Sequence, residues 1–132
     1  MARSAHHAFN ERNREAFLDC LAEDVVWHVA GQHPLAGTYD GRTRLWEGFM
    51  EPMWASPARL EDRELLTHGD HVVAIGDAVH DFGEGEQRFE TVEVLRLDGG
   101  RLVERWEFTS RQAELDRLFT RGCAAAAGQT PD

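Results

Sequence analysis

Two segments, Phe89–Leu97 and Arg101–Thr109, joined by Asp98-Gly99-Gly100, constrain this chain more than any other stretch. Both alternate with a period of two, the mark of strands, and the glycine pair between them marks a hairpin. Two registers compete. A two-residue loop pairs Asp98 with Arg101, sets Glu93 opposite Trp106 and mixes charged and apolar residues on both faces. A three-residue loop, with Gly100 as the left-handed residue of a bulged turn, pairs Leu97 with Arg101. In that register Val92, Val94, Leu102, Trp106 and Phe108 share one face. Thr91, Glu93, Leu95, Val103, Arg105, Glu107 and Thr109 share the other. A one-residue slip exchanges the faces, so the register that better separates apolar from charged side chains is favoured. The three-residue loop is therefore expected, with Arg105 directly across from Glu93 and next to Glu107 on a mixed face.

Around this hairpin the 132 residues allow one domain with a single core. No run of about 18 apolar residues occurs, so no membrane-spanning segment is expected. The start, MARSAHHAF, reaches Asn10 and Glu11 without an apolar stretch; no secretory signal is read there, and a cytoplasmic location is expected. Cys20 falls in a helical pattern and Cys123 in a polar tail, which favours reduced thiols over a bridge. The formal charge is −10, from 24 acidic and 14 basic residues, and every basic residue is arginine. Such a chain has no basic stripe for nucleic acid and is a poor partner for an anionic membrane. Without lysine, Schiff-base chemistry is excluded.

Helical spacing covers residues 4–22 in two pieces, broken near Asn10–Asn13, with Ala16, Phe17, Cys20 and Leu21 on one face. Val25–Ala30 reads as a short strand. Gly31–Gly41 is rich in turn residues and reads as a loop. Thr43–Trp54 is a third helix with a broad apolar side formed by Leu45, Trp46, Phe49, Met50, Met53 and Trp54. Strands follow at Leu60–His68, His71–Phe82 and Gln87–Leu97, and Arg101–Ser110 closes the set. Glu114–Phe119 adds a helical turn, and residues 120–132 read as a flexible tail after a domain over residues 1–119. Helices first and an antiparallel meander later make the class α+β.

The segments NREAFLDCLAEDVVWHV (Asn13–Val29), HPLAGTYDGR (His33–Arg42) and VEVLRLDGGRLVERWEF (Val92–Phe108) carry a resemblance. Over about residues 5–119 the chain resembles the nuclear transport factor 2-like superfamily, in its SnoaL-like and ketosteroid isomerase-like branch. The resemblance implies a cone-shaped, cystatin-like fold, with N-terminal helices packed on a curved antiparallel sheet around a pocket. It also implies a dimer through the outer sheet face. The isomerases' base aspartate falls near Val29 and their helix-one tyrosine near Ala5, so that route is not implied here. Their second acid, a neutral carboxyl that donates a hydrogen bond, matches Glu93. The arginine–aspartate pair of limonene epoxide hydrolase-like members falls at Gly76 and Ala78. The last-strand acid of those members and of SnoaL-type polyketide cyclases matches Glu107.

Catalytic candidates are thus Glu107 as acid or base, Glu93 as a second carboxyl and Arg105 as electrostatic stabiliser. A carboxyl in an apolar pocket resists ionisation and can exchange protons near neutrality. The competing reading is a structural ion-pair network at the mouth of the sheet. Substrate-binding candidates are Trp27, Val29, Phe49, Trp54, His80, Phe82 and His33. Each also has a plainer reading, as core, as surface histidine or as solvated loop. His80 is placed at the pocket's edge, with a proton affinity suited to transfer near neutrality. His28 alternates with Trp27 and falls on the outer face. Ala74, Gly76, Ala78 and His80 share one strand face; the small residues either leave room for a ligand or admit a close-packed helix. The seven histidines show neither HExxH nor finger spacing, so no metal or other cofactor is expected.

The expected activity is cofactor-independent acid/base chemistry on a small apolar carbonyl compound, polyketide- or terpenoid-like, driving cyclisation, isomerisation or dehydration. A non-catalytic small-molecule-binding protein and an epoxide hydrolase-like enzyme are the alternatives. The outer face, with Val92, Val94, Trp106 and Phe108, is too apolar to leave wet and is expected to pair with a second copy.

Overall fold

Four long strands fill the second half of the chain and build the body of the protein, and in the middle two buried and more exposed side chains alternate. A computed structural model describes residues 2–126. The elements are α1 (Ala2–Asn10), α2 (Arg14–Asp19), β1 (Leu21–Val29), β2 (Gly37–Asp40) and α3 (Arg42–Leu45). A π-helical stretch (Trp46–Met50) carries α3 into α4 (Glu51–Met53). Then come β3 (Ala58–His68), β4 (His71–Asp81), β5 (Glu86–Asp98), β6 (Arg101–Thr109) and α5 (Gln112–Ala126). The strands form one open sheet in the order β2-β1-β6-β5-β4-β3. Only β1 and β6 run parallel; every other pair is antiparallel. The α+β class stands as read from the sequence.

Local chemistry explains the helical half. Ala2, Ala5, His6 and Phe9 recur at helical spacing and are buried. After α1 the chain reverses through Arg12 in a left-handed conformation (φ 57°). Asn13 then caps α2 by accepting from the Ala16 backbone N–H at 3.1 Å. Arg12 donates to the carbonyls of Ser56 and Ala58, and Asn10 exchanges hydrogen bonds with Leu60, so the end of α1 is fastened to β3.

Three expectations need correction here. Gly37–Asp40 is a strand inside the expected loop, and its Tyr39 ring lies against Gly48, where a Cβ would sit 2.6 Å from Tyr39 Cε1. The helix after β6 spans Gln112–Ala126, well beyond the expected single turn and through part of the expected tail; residues 127–132 lie outside the described residues. The β5–β6 hairpin closes with a two-residue turn in which Gly99 and Gly100 both have positive φ (59° and 79°), pairing Asp98 with Arg101. A bulge at Val103 then shifts the register, so Glu93 faces Glu107 and Leu95 faces Arg105. The bulge restores the segregation of faces by a means other than loop length. It also turns Leu102 into the core, where it is 1 % exposed, although the expected register placed it outside.

A second bulge matters as much. In β3 the pairing steps from Asp62↔Gly76 to Glu64↔Ile75. A Cβ on Gly76 would lie 2.3 Å from the Glu61 carbonyl oxygen, so only glycine lets β3 fold this closely over β4. Gly76 is small for its neighbouring strand rather than for a helix or ligand. The outer face of the same region carries an ion-pair ladder, with Arg88 reaching Glu61 and Asp77 and Arg63 reaching Asp77 and Glu90. Among the described residues no helix is long and apolar enough to cross a membrane.

Candidate functional site

Between the inner sheet face and the helices lies a cavity of ≈ 70 Å³. Sites for drug-sized ligands offer roughly 300–1,000 Å³, so this one suits a compact molecule. Most of its wall is apolar, including Phe9, Phe17, Phe49, Met50, Leu95 and Leu102. One end is charged.

The charged end is built by three inward positions on β5 and β6 and one on α1. Glu93 and Arg105 are 5 % and 6 % exposed, and His6 is 8 % exposed. Glu93 Oε1 accepts from His6 Nε2 at 2.6 Å, and Glu93 Oε2 accepts from Arg105 Nε at 2.7 Å. Both oxygens of Glu93 are thus held by cationic groups. Burial alone would raise its proton affinity. The charges of Arg105 and His6 and their hydrogen bonds overcome that, and hold the carboxyl well below the usual range, at about 2.

His6 Nδ1 donates to Asp62 at 2.8 Å, so both ring nitrogens face carboxylates and both must carry protons. Burial would lower its pKa; the charge of Glu93 and the hydrogen bonds to Asp62 and Glu93 raise it to about 10. Asp62 is the last residue of β3 before its bulge opposite Gly76.

Glu107 is the odd member. Among the described residues its one hydrogen-bond partner is Arg105, through Oε2. The side chain keeps 22 % of its exposure, at the cavity wall, within an otherwise dense protein shell. Burial pushes its pKa up, Arg105 opposes, and the charge of Glu93 pushes further up; the net direction is upward. Arg105 itself is fully engaged. It reaches Glu93, Glu107 and the His28 carbonyl, and its guanidinium lies 4.5 Å from the centre of the Trp27 ring.

A family model described as a SnoaL-like domain matches residues 2–105. The chain belongs to the SnoaL-like domain family. Its architecture recurs in solved structures. An NTF2-like protein of unknown function from Burkholderia pseudomallei is 26 % identical with a TM-score of 0.81, covering 90 % of this chain and 94 % of that one. TerC, co-crystallised with polyporic acid, is 20 % identical with a TM-score of 0.78, covering 89 % and 94 %. A protein from Shewanella denitrificans, provisionally named a SnoaL-like polyketide cyclase, is 18 % identical with a TM-score of 0.72, covering 89 % and 93 %. No match is found among curated proteins.

Within this SnoaL-like domain the expected site residues separate. Glu93, Arg105, Glu107, Trp27, Val29, Phe49, His33 and His80 all line the cavity. Trp54 and Phe82 do not. Trp54 is packed edge-on among Phe9, Phe17 and Trp46, behind the wall. Phe82 lies in a neighbouring groove, against Gly122 of α5. Two expected properties also change. Glu93 is not a neutral donor, because both its oxygens accept from cations. His80 is not at a solvated edge: it is 7 % exposed, stacked on Phe82 and edge-on to Phe89 and Phe119. Burial and the charge of Arg12 push its pKa down to about 4, so it stays neutral.

His33 is stacked on Phe119, and its Nδ1 accepts from the Leu35 backbone N–H, which leaves the proton on Nε2. His28 is on the outer face, bonded to Glu104 and stacked on Trp106 at 5.3 Å. Among the described residues no group of three or more His, Cys, Asp or Glu is arranged to hold a metal ion.

Sequence reasoning missed His6. The signal was present: it is the one titratable residue on the apolar stripe Ala2, Ala5, Phe9 of α1.

Proposed function

We propose that this domain is a cofactor-independent acid/base enzyme acting in the cytoplasm on a small, mostly apolar carbonyl compound. The reaction is a proton transfer at Glu107 that drives cyclisation, isomerisation or dehydration of a polyketide- or terpenoid-like substrate. One observation carries the reading: two carboxyls face each other, Glu93 bonded to both His6 and Arg105 and Glu107 to Arg105, and these unequal contacts drive their proton affinities apart. Glu93 is a fixed anion and Glu107 is free to exchange. Such divergence is how a single site supplies acid and base roles. Arg105 holds the two carboxyls in place rather than offering a free cation to an enolate.

The carbonyl preference rests on Trp27. Its indole N–H is buried without a partner among the described residues, and Trp27 lines the cavity in the same transverse row as Arg105. An unpaired buried donor costs about 1–3 kcal/mol, which a ligand oxygen would recover. The polyketide cyclase and TerC likenesses agree with this class. The rival is a binding protein that transforms nothing, and the full engagement of Arg105 favours it. An epoxide hydrolase-like route is disfavoured by Gly76 and Ala78, which stand where its arginine and aspartate would be.

The apolar half of the outer face suggests a dimer. Val92 and Phe108 are 36 % and 54 % exposed, beside Val94 and Trp106. We place a second copy there.

The test uses 5-nitrobenzisoxazole, a small planar neutral compound whose ring opening needs only a base. The carboxylate takes the C3 proton, the C–H electron pair completes the nitrile, and the N–O bond breaks to give the phenolate. Wild type should open it far faster than free glutamate does. Glu107→Gln should abolish the excess while leaving the thermal midpoint nearly unchanged. Full activity in Glu107→Gln, or no excess in wild type, overturns the enzyme reading.

A further inference from the structure

Five charged groups form one alternating chain across four elements: Asp62 on β3, His6 on α1, Glu93 on β5, then Arg105 and Glu107 on β6. Three acids face two cations. One proton is therefore enough to balance the row, and its position depends on how many cations each acid touches. Asp62 touches His6 and keeps 25 % of its side-chain exposure. Glu93 touches both cations. Glu107 touches Arg105 alone. No other charged side chain turns toward His6 from its own helix, since Arg3 and His7 are exposed.

We infer that His6 is the residue that decides which of the two facing carboxyls, Glu93 or Glu107, carries the proton. Without it, Glu93 and Glu107 would each hold one contact to the same guanidinium, directly across the β5–β6 ladder. They would then compete for the proton on nearly equal terms, as paired carboxyls do. With it, Glu93 is committed as the anion, and the exchangeable proton is delivered to Glu107, the more exposed of the two carboxyls on the cavity wall. His6 acts through Glu93, so it is a positioning residue. Its functional meaning rests on the proposed role of Glu107, but the assignment itself does not.

The experiment is a pH titration of the whole chain by NMR, reading the His6 ring nitrogens and the Glu93 and Glu107 carboxyl carbons. Wild type should show both His6 ring nitrogens protonated at about pH 8, where a free histidine is neutral. The two glutamates should titrate in widely separated steps. His6→Gln should collapse that separation, with Glu93 moving up. Asp62→Asn removes the charge of His6's other partner, on β3, but leaves His6 on Glu93, so the separation should survive.

A neutral His6 ring in wild type at that pH overturns the inference, and that arm needs no variant. So does a separation unchanged in His6→Gln, or one lost equally in Asp62→Asn, which would reduce His6 to a structural tie. If the titrations behave as stated while 5-nitrobenzisoxazole is not turned over, the enzyme reading fails and this assignment stands.

Discussion

Glu93 and Glu107 sit directly across from each other on neighbouring strands, and one arginine, Arg105, bonds both. Their backbones are equivalent positions of one ladder. Their chemistry differs because a helix delivers His6 to one of them and not to the other.

Arg105 holds this arrangement together. Replacing it by methionine keeps much of the volume but leaves Glu107 without a partner and Glu93 with His6 alone. Breaking a buried pair from one side costs about 3–5 kcal/mol. Urea denaturation at neutral pH should show that loss in Arg105→Met. The double variant Arg105→Met, Glu107→Gln should recover part of it, because one orphaned charge has been removed.

Stability should fall as the solution becomes alkaline. The folded chain holds the His6 proton up to about 10, while the unfolded chain releases it near 6.5. The contribution is therefore complete below 6.5 and is lost as pH rises from 6.5 through about 10. Glu93 has the opposite sign: its folded value is depressed, so its contribution is present above 4.5 and lost as pH falls toward 2. Unfolding free energy measured across the alkaline window should drop by an amount on the order of a few kcal/mol in wild type. In His6→Gln that drop should be largely absent.

Gly76 is the pivot of the β3 bulge. Adding a methyl there drives a Cβ to 2.3 Å from the Glu61 carbonyl, so β3 must shift. Gly76→Ala should cost about 1–3 kcal/mol, the usual range for overpacking. It should also move Asp62 off His6, read as a fall in the His6 pKa. A variant with lowered stability and an unmoved His6 would show that the bulge does not set the Asp62 contact.

Much of this architecture was legible in the residues. In any even register, period-two alternation puts Glu93 and Glu107 on one face and Trp106 on the other; the two-residue turn alone gives an odd one, and the bulge at Val103 makes it even. Which even register is adopted was not legible, since a bulge at Val103 and a longer loop segregate the faces equally well. β2 was hidden because it is only four residues long and is bounded by the turn formers Gly37 and Asp40, and its place is set by pairing with Trp27 and Val26. Trp54 looked like pocket wall from its helical face alone; the edge-on contacts of Phe9, Phe17 and Trp46 that enclose it are tertiary. His6 could have been found from the stripe it interrupts, but its partners, 56 and 87 residues away, could not.

The outer face offers a simpler test. Phe108 is 54 % exposed beside Val92 on the half of the sheet that lacks the arginine ladder. Phe108→Asp should convert a dimer to a monomer in size-exclusion chromatography with light scattering, with the fold retained by circular dichroism. A wild-type chain that is monomeric at every concentration contradicts the proposed pairing.

The location of one proton decides the account. Neutron diffraction from deuterated crystals held just above pH 4.5, the ordinary value of a glutamic acid, would show it directly. The expected map has deuterium on Glu107, none on Glu93, and deuterium on both ring nitrogens of His6. Deuterium on Glu93 with Glu107 bare would contradict the account.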